Sequence, residues 1–336
     1  MSPHVRQSRT TAWIMWTVTL TLIPALLMSV RVFGMRGLLI TLVSVISCVV
    51  VEALCQKAMG KPVSVKDGSA VLTGVLMAFV ISPGVPYALP VLGAVGAMFI
   101  NKQLMGGLGF NVWNPALIGR AIMMASFPVY MTATWLPPVE ASKWSLDVYV
   151  AGGLDAVSTA TPLQVLKQFG VAALEKQFGP LNTIYTNFFL GFRPGCIGET
   201  SALLILLGGL VLLGLRIITW HIPVSTVVTV GVLSWVFGGE TWFSGPWLVH
   251  VLSGGVMLGA FYMATDYVTS PTMKTGQIIF GIGVGALTVL IRLKGGYPEG
   301  VCYAILLMNC LTPALDEWFK PARFAPPKVA PVAATK

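Results

Sequence analysis

Asp155-Ala156-Val157-Ser158-Thr159-Ala160-Thr161-Pro162 lies in the longest stretch of the chain without an apolar run, and it divides everything around it. Three hydroxyls, Ser158, Thr159 and Thr161, fall within four residues, behind an acid and ahead of a proline. Thr161-Pro162 has the form of a helix start. It offers a hydroxyl N-cap, a proline at the first helical position, then Leu163, Val165, Leu166 and Phe169 as an apolar face. An exposed cap of this kind is worth about 1 kcal/mol. A cap does not account for the crowding of hydroxyls. A helix N-terminus with hydroxyl neighbours also suits a phosphate, so a phosphate-bearing cofactor on or beside Thr161 is the second reading. Spacing alone favours the cap.

Outward from this stretch the chain is overwhelmingly apolar. Its 336 residues are 55% hydrophobic and 10% charged, with mean hydropathy +0.81. A soluble domain carries roughly 25% charged residues, so this composition cannot cover a water-facing surface. The fold class that follows is an all-α integral membrane protein. Apolar runs near 13–30, 37–55, 67–83, 87–104 and 111–128 precede the central stretch, and runs near 201–218, 219–237, 247–265, 275–293 and 300–318 follow it. With about 20 apolar residues needed per span, they predict about ten transmembrane helices. The organisation is then an arm over 1–12, five spans over 13–128, a central region over 129–200, five spans over 201–319 and a tail over 320–336. The first run lacks a small-residue cleavage site and reads as a span rather than a signal peptide.

The net charge of +9 is no nucleic-acid signal, because the basic residues sit in short loops and tails. With the N-terminus inside, the inside segments hold Arg6, Arg9, Lys57, Lys61, Lys66, Lys102, Arg216, Lys274, Lys320, Arg323, Lys328 and Lys336. The short outside loops hold only Arg31, Arg36, Arg292 and Lys294. This bias places both termini in the cytoplasm and the central region outside. Five spans on each side is an odd number, so two similar halves would have inverted topology. Gly96-Ala97 followed by Gly106-Gly107 is echoed by Gly285-Ala286 and Gly295-Gly296, and Gly74-Val75-Leu76-Met77 by Gly255-Val256-Met257-Leu258. Inverted repeats place ligand and ion sites at broken helices; glycine-rich helices that merely pack closely are the alternative.

Among polar residues, Asn111 and Asn114 stand three apart at the opening of the fifth run. They have donors and acceptors for a ring with carbonyl or imide edges, or serve as an ordinary helix cap. Glu52, Asp266, Glu299 and Asp316 are acids in or at the ends of apolar runs, where charge is costly and functional by default, or else solvated at the interface. Asp316, beside Glu317, fits the interfacial case best. Arg120 lies mid-run and needs an acid or an anionic ligand. No two of the five cysteines have C-x-x-C spacing, and the three histidines suggest no cluster, so no metal site is expected.

Several motifs carry a resemblance: Asp67-Gly68-Ser69-Ala70, Gly106-Gly107-Leu108-Gly109 with Asn111 and Asn114-Pro115-Ala116, the stretch from Asp155 to Thr161, Gly198-Glu199-Thr200-Ser201, Ala264-Thr265-Asp266, and Gly295-Gly296-Tyr297-Pro298-Glu299-Gly300. In this order the chain resembles the D subunits of the Rnf electron-transport complex, and more distantly the B subunit of the sodium-pumping NADH:quinone oxidoreductase. The resemblance implies a bacterial inner-membrane subunit with a flavin mononucleotide (FMN) joined by phosphoester to the last threonine of an S-G-A-T motif. Here that residue is Thr161, with Asp155, Ser158 and Ala160 as the rest of the motif. Thr159 replaces the usual glycine and adds a competing hydroxyl. The resemblance further implies a separate flavin transferase, and a second, non-covalent flavin (riboflavin or FMN) near Asn111 and Asn114. It also implies ion-pathway acids at Glu52, Asp266, Glu299 and Asp316. Partners would be the A, B, C, E and G subunits of the complex and membrane lipid. No nucleotide fingerprint is present, so NAD and ferredoxin would bind other subunits. A secondary transporter or channel built from inverted repeats is the alternative that the ten-span plan leaves open.

Overall fold

The computed structural model describes residues 9–138, 159–239 and 241–320, and these residues form helices and connections without a strand. Helix α1 (Thr11–Phe33) starts on Thr10, whose side chain accepts from the Trp13 N–H, and Gly34 alone links it to α2 (Met35–Ala58). Then come α3 (Ser69–Phe79), α4 (Ala88–Ala94) continuing as a π-helix over Val95–Gln103, α5 (Pro115–Ser126) and α6 (Pro128–Thr132). The central region contributes α7 (Pro162–Phe178) and α8 (Leu181–Leu190). After it follow α9 (Ala202–Gly214), α10 (His221–Phe237), α11 (Trp247–Leu252), α12 (Val256–Leu258) continuing as a π-helix over Gly259–Met263, α13 (Lys274–Lys294) and α14 (Val301–Trp318).

Among the described helices α1, α2 and α13 are long and apolar enough to cross a membrane; α3, α5, α9 and α10 are apolar but shorter. Every apolar run expected from the sequence contains a helix, but not each as one rod. The run at 67–83 is helical only over α3, because Ser82-Pro83-Gly84 cannot continue it. The run at 247–265 stops after six residues at Ser253-Gly254-Gly255, where both glycines have positive φ. Hydropathy counts apolar residues and is blind to such breaks.

One apolar cluster joins the chain before and after the central region, with Phe79, Met98 and Leu117 meeting Phe261, Phe280 and Ile305. Helices approach closely through glycine. Ser44 Oγ donates to the Gly74 carbonyl at 2.8 Å, and a Cβ on Gly74 would lie 2.6 Å from Val45 Cα. Thr226 Oγ1 donates to the Gly281 carbonyl at 3.2 Å in the same manner between α10 and α13. The glycines that echo each other in sequence have different neighbours: Gly96 faces Ile122 of α5, whereas Gly285 faces Thr229 of α10. Helix α7, broken at Gly170 (φ 77°), and α8 share a small core of Val165, Leu174, Ile184 and Phe188, closed by Val249 of α11.

Three cations counted as orientation signals are structural. Lys102, Arg36 and Arg292 are all buried, Arg36 by donating to the Pro83 and Val85 carbonyls. Without them the inside segments still hold the exposed Lys57, Lys61, Lys66, Arg216, Lys274 and Lys320, so the bias survives. In a cysteine-free background, Lys176→Cys on α7 is expected to react with an impermeant maleimide in intact cells, and Lys61→Cys only after lysis. Reversed labelling would overturn the orientation.

Candidate functional site

Among the described residues, two cavities with polar groups in their walls enter the helical body. The first, of about 360 Å³, is lined among others by Ser69, Thr73, Lys102, Asn111, Asn114 and Asp266, and also reaches Ile217 and Ile218 just before α10. The second, of about 640 Å³, is lined by Leu163, Leu166, Lys167, His250, Arg292 and Lys294, and reaches Leu233 to Gly239 at the far end of α10. The 17 residues of α10 span about 25 Å at 1.5 Å per residue. The cavities therefore sit at opposite ends of the helical body.

Around the first cavity polar residues are tied in a chain. The π-helix ends in Asn101-Lys102-Gln103, and all three are buried. A wide π turn at such a place commonly marks a functional site. Lys102 Nζ lies 2.6 Å from Glu52 Oε1 and donates to Ser69 Oγ at 2.6 Å; Ser69 Oγ in turn donates to Asp67 at 2.7 Å. Gln103 and Gln56 also donate to Glu52 Oε1, while Glu52 Oε2 has no partner among the described residues. Between Asp67 and Ser69, Gly68 holds a left-handed φ of 80°, and a Cβ there would lie 2.9 Å from Trp16 Nε1.

Asn114 is a helix cap that also faces the cavity. Its Oδ1 caps α5 by accepting from the Ala116 N–H at 3.0 Å, its Nδ2 donates to the Met263 carbonyl at 3.2 Å, and the residue lines the cavity. Asn111 lies beside it and donates to the Trp113 carbonyl. The sequence reading missed Asn309, which is buried and bridges the Thr269 carbonyl and the Asn114 N–H. An asparagine inside an apolar run was the available signal. Asp266 Oδ2 accepts from Thr269 Oγ1 at 3.2 Å, and its carbonyl accepts from Ser270.

The second cavity begins at α7. Thr161 is its N-cap, with Oγ1 accepting from the Gln164 N–H at 3.3 Å. The cap is buried, at 4% exposure, rather than exposed as its sequence implies. The start of α7 is pressed against the break in the α11–α12 run: a Cβ on Gly254 (φ 67°) would lie 2.5 Å from Leu163 Cδ1 and 2.3 Å from Arg292 Nη2. Lys167 Nζ donates to the Gly295 and Tyr297 carbonyls and fixes α7 to that loop. Partial desolvation there lowers the Lys167 ammonium from the usual lysine range. Arg292 donates to the His250 carbonyl at 2.6 Å and the Ser253 carbonyl at 2.8 Å, satisfying the end of α11. Its Nε, and both ring nitrogens of His250, are buried without a partner among the described residues. Ala160 precedes the cap; Asp155 and Ser158 lie outside the described residues.

Arg120 finds an acid: its Nη2 lies 2.5 Å from Glu299 Oε2. Cys196 Sγ is 3.8 Å from the same oxygen, and the ligating atoms of Cys196, Glu199 and Glu299 lie within 4.8 Å of one another. Sequence separation hid this grouping. Three buried arginines, Arg120, Arg193 and Arg292, act on Glu199 and so disfavour a further cation there. The four candidate acids do not converge. Glu52 pairs with Lys102, Glu299 with Arg120, Asp266 with Thr269, and Asp316 accepts from Thr272 N–H and Oγ1 at 2.9 Å.

Residues 1–325 match the NQR2, RnfD, RnfE family. The chain is 49% identical over 324 residues to the D subunit of the proton-translocating ferredoxin:NAD(+) oxidoreductase complex of Clostridium ljungdahlii, covering 96% of this chain and 94% of that one. It is 44% identical to the D subunit of the Na(+)-translocating ferredoxin:NAD(+) oxidoreductase complex of Acetobacterium woodii, covering 95% and 92%. It is 39% identical to the D subunit of the ion-translocating oxidoreductase complex of Escherichia fergusonii, covering 95% and 96%. The chain belongs to the NQR2, RnfD, RnfE family.

Proposed function

We propose that the chain is the flavin-carrying membrane subunit of an ion-translocating ferredoxin:NAD oxidoreductase, with FMN in phosphoester linkage on Thr161. The observation that supports it most is full-length similarity to subunits so named, joined to a cavity whose wall starts two residues after Thr161. That cavity suits the group. It has room for a ring system, an apolar flank in Leu163 and Leu166, cations at Arg292, Lys167 and Lys294, and buried nitrogens without partners. When bound, the flavin supplies the one- and two-electron chemistry. The protein supplies position, charge and exclusion of water. A separate transferase makes the linkage, and the A, B, C, E and G subunits supply the sites for ferredoxin and NAD.

The reading extends to ten spans in the inner membrane, both termini cytoplasmic, with α7 and the second cavity outside. The first cavity then opens inward, and Asn111, Asn114 and Lys102 offer donors and acceptors to a second, non-covalent flavin. Asp266 lines the same cavity beside the break after the π-helix, where a carboxylate and freed carbonyls suit a partly dehydrated cation. Glu52 and Glu299 already have cationic partners, so Asp266 is the acid best placed to hold one. Asp266→Asn is expected to slow ion uptake into vesicles driven by reduced ferredoxin, with covalent flavin unchanged. Uptake per flavin at the parent rate would make Asp266 an interfacial cap.

The test of the main reading is colour. Chain made in its native host and run on a denaturing gel is expected to fluoresce as a flavin. A dark band would favour the transporter reading.

A further inference from the structure

His250 and Arg292 are the groups at the second cavity that the fold leaves unfinished. His250 is 4% exposed, and neither ring nitrogen has a partner among the described residues. A buried polar group without a partner is destabilising, and a phenylalanine would fill the same space without that cost. Arg292 is 2% exposed and has spent both terminal nitrogens on the α11 end, but its Nε is unsatisfied. The charges behind it do not balance. Arg120 pairs with Glu299, Arg193 donates to the Glu199 backbone carbonyl, and Arg292 is the third arginine beside these two carboxylates. Positive charge is in excess there, and Lys167 and Lys294 share the cavity wall. A buried excess of this kind calls for an anion.

We propose that Arg292 and His250 seat the cofactor carried on Thr161, Arg292 as counter-ion to its phosphate linkage and His250 as hydrogen-bond partner to the polar edge of its ring. This rests on the reading that Thr161 carries the flavin. A phosphate joining a threonine oxygen to a sugar alcohol is a diester with one negative charge, which offsets part of that excess. A neutral imidazole has one donor and one acceptor, and the flavin ring edge offers both. The arginine does two jobs: it closes the end of α11 and turns its remaining edge to the anion. The broken helix thereby sets the position of the counter-charge.

The experiment measures covalent flavin content and flavin midpoint potential on the full chain, for the parent, Arg292→Gln, Arg292→Lys and His250→Phe. Flavin content is expected to stay at the parent level in all three variants. Loss of the positive charge in Arg292→Gln should disfavour the one-electron-reduced form about tenfold, moving that potential about 59 mV more negative. Arg292→Lys should recover most of the shift. His250→Phe should shift the potential and the fluorescence yield, since it removes the hydrogen bond to the ring edge. A parent potential in both Arg292→Gln and His250→Phe would overturn the seat while leaving the flavin on Thr161 intact; should Arg292→Gln not fold, a parent potential and fluorescence yield in His250→Phe do so alone. A dark gel band in the parent would instead bring down the Thr161 reading and this inference with it.

Discussion

Thr161→Ala is expected to leave the chain dark on a denaturing gel, with covalent flavin lost rather than reduced. The linkage needs an oxygen on that side chain, and alanine has none. The fold should persist. The Thr161 hydroxyl makes one long cap bond to the Gln164 N–H at 3.3 Å, and Pro162 still begins the helix. Loss of an N-cap costs about 1 kcal/mol; because Thr161 is buried, the unpaired N–H raises the cost toward about 2 kcal/mol. The competing hydroxyl is Thr159. Its Oγ1 is buried and without a partner among the described residues, and its N–H donates to the Trp135 carbonyl at 3.0 Å. Thr159→Gly is expected to keep the label. Mass spectrometry of the chymotryptic peptide locates it, and flavin mass on Ser158 or Thr159 would show that another hydroxyl is used.

The largest stability effect is expected at the other cavity. Lys102→Met leaves the Glu52 carboxylate buried without its cation, a change that costs about 3–5 kcal/mol where a buried pair is broken. Gln56 and Gln103 continue to donate to Glu52 but bring no charge. Lys102→Met combined with Glu52→Gln removes both charges and should recover most of the loss. The exposed pair Lys320–Glu317, at 3.4 Å, is the control; removing Lys320 should cost less than about 1 kcal/mol. Melting of the purified chain in detergent reads all three. If Lys102→Met melts no lower than the double variant, the ion pair contributes no net stability and Lys102 is held there for the cavity alone.

Hydropathy made the membrane class and the helical positions legible, because a long apolar run admits few alternatives. The helix start at Thr161-Pro162 and the Asn114-Pro115 cap were legible for a similar reason: hydroxyl or amide before proline has few other uses. The burial of Thr161 was not, since the start of α7 packs, through Leu163, against Gly254, 91 positions further along the chain. The partner of Arg120 was predicted in kind but not in place, Glu299 lying 179 residues away. Lys102 was misread as a loop cation because charge counting cannot see a π-helix that turns three successive polar side chains inward. His250 gave no signal at all. Its meaning lies in bonds it does not make, and only the packed surroundings reveal them.

The separation of the two cavities along α10 has an electrical consequence. A bilayer's hydrocarbon core is about 30 Å thick, and in the proposed arrangement each cavity would cut into it from one side. In the proposed orientation, the membrane voltage would fall mainly across the dry layer between them, so the field there is steeper than in plain lipid. A charge passing from one cavity to the other would meet most of the potential, about 2.3 kcal/mol per 100 mV, over a path shorter than the membrane. The turnover of such a subunit would then depend on voltage even where no ion crosses with the electron.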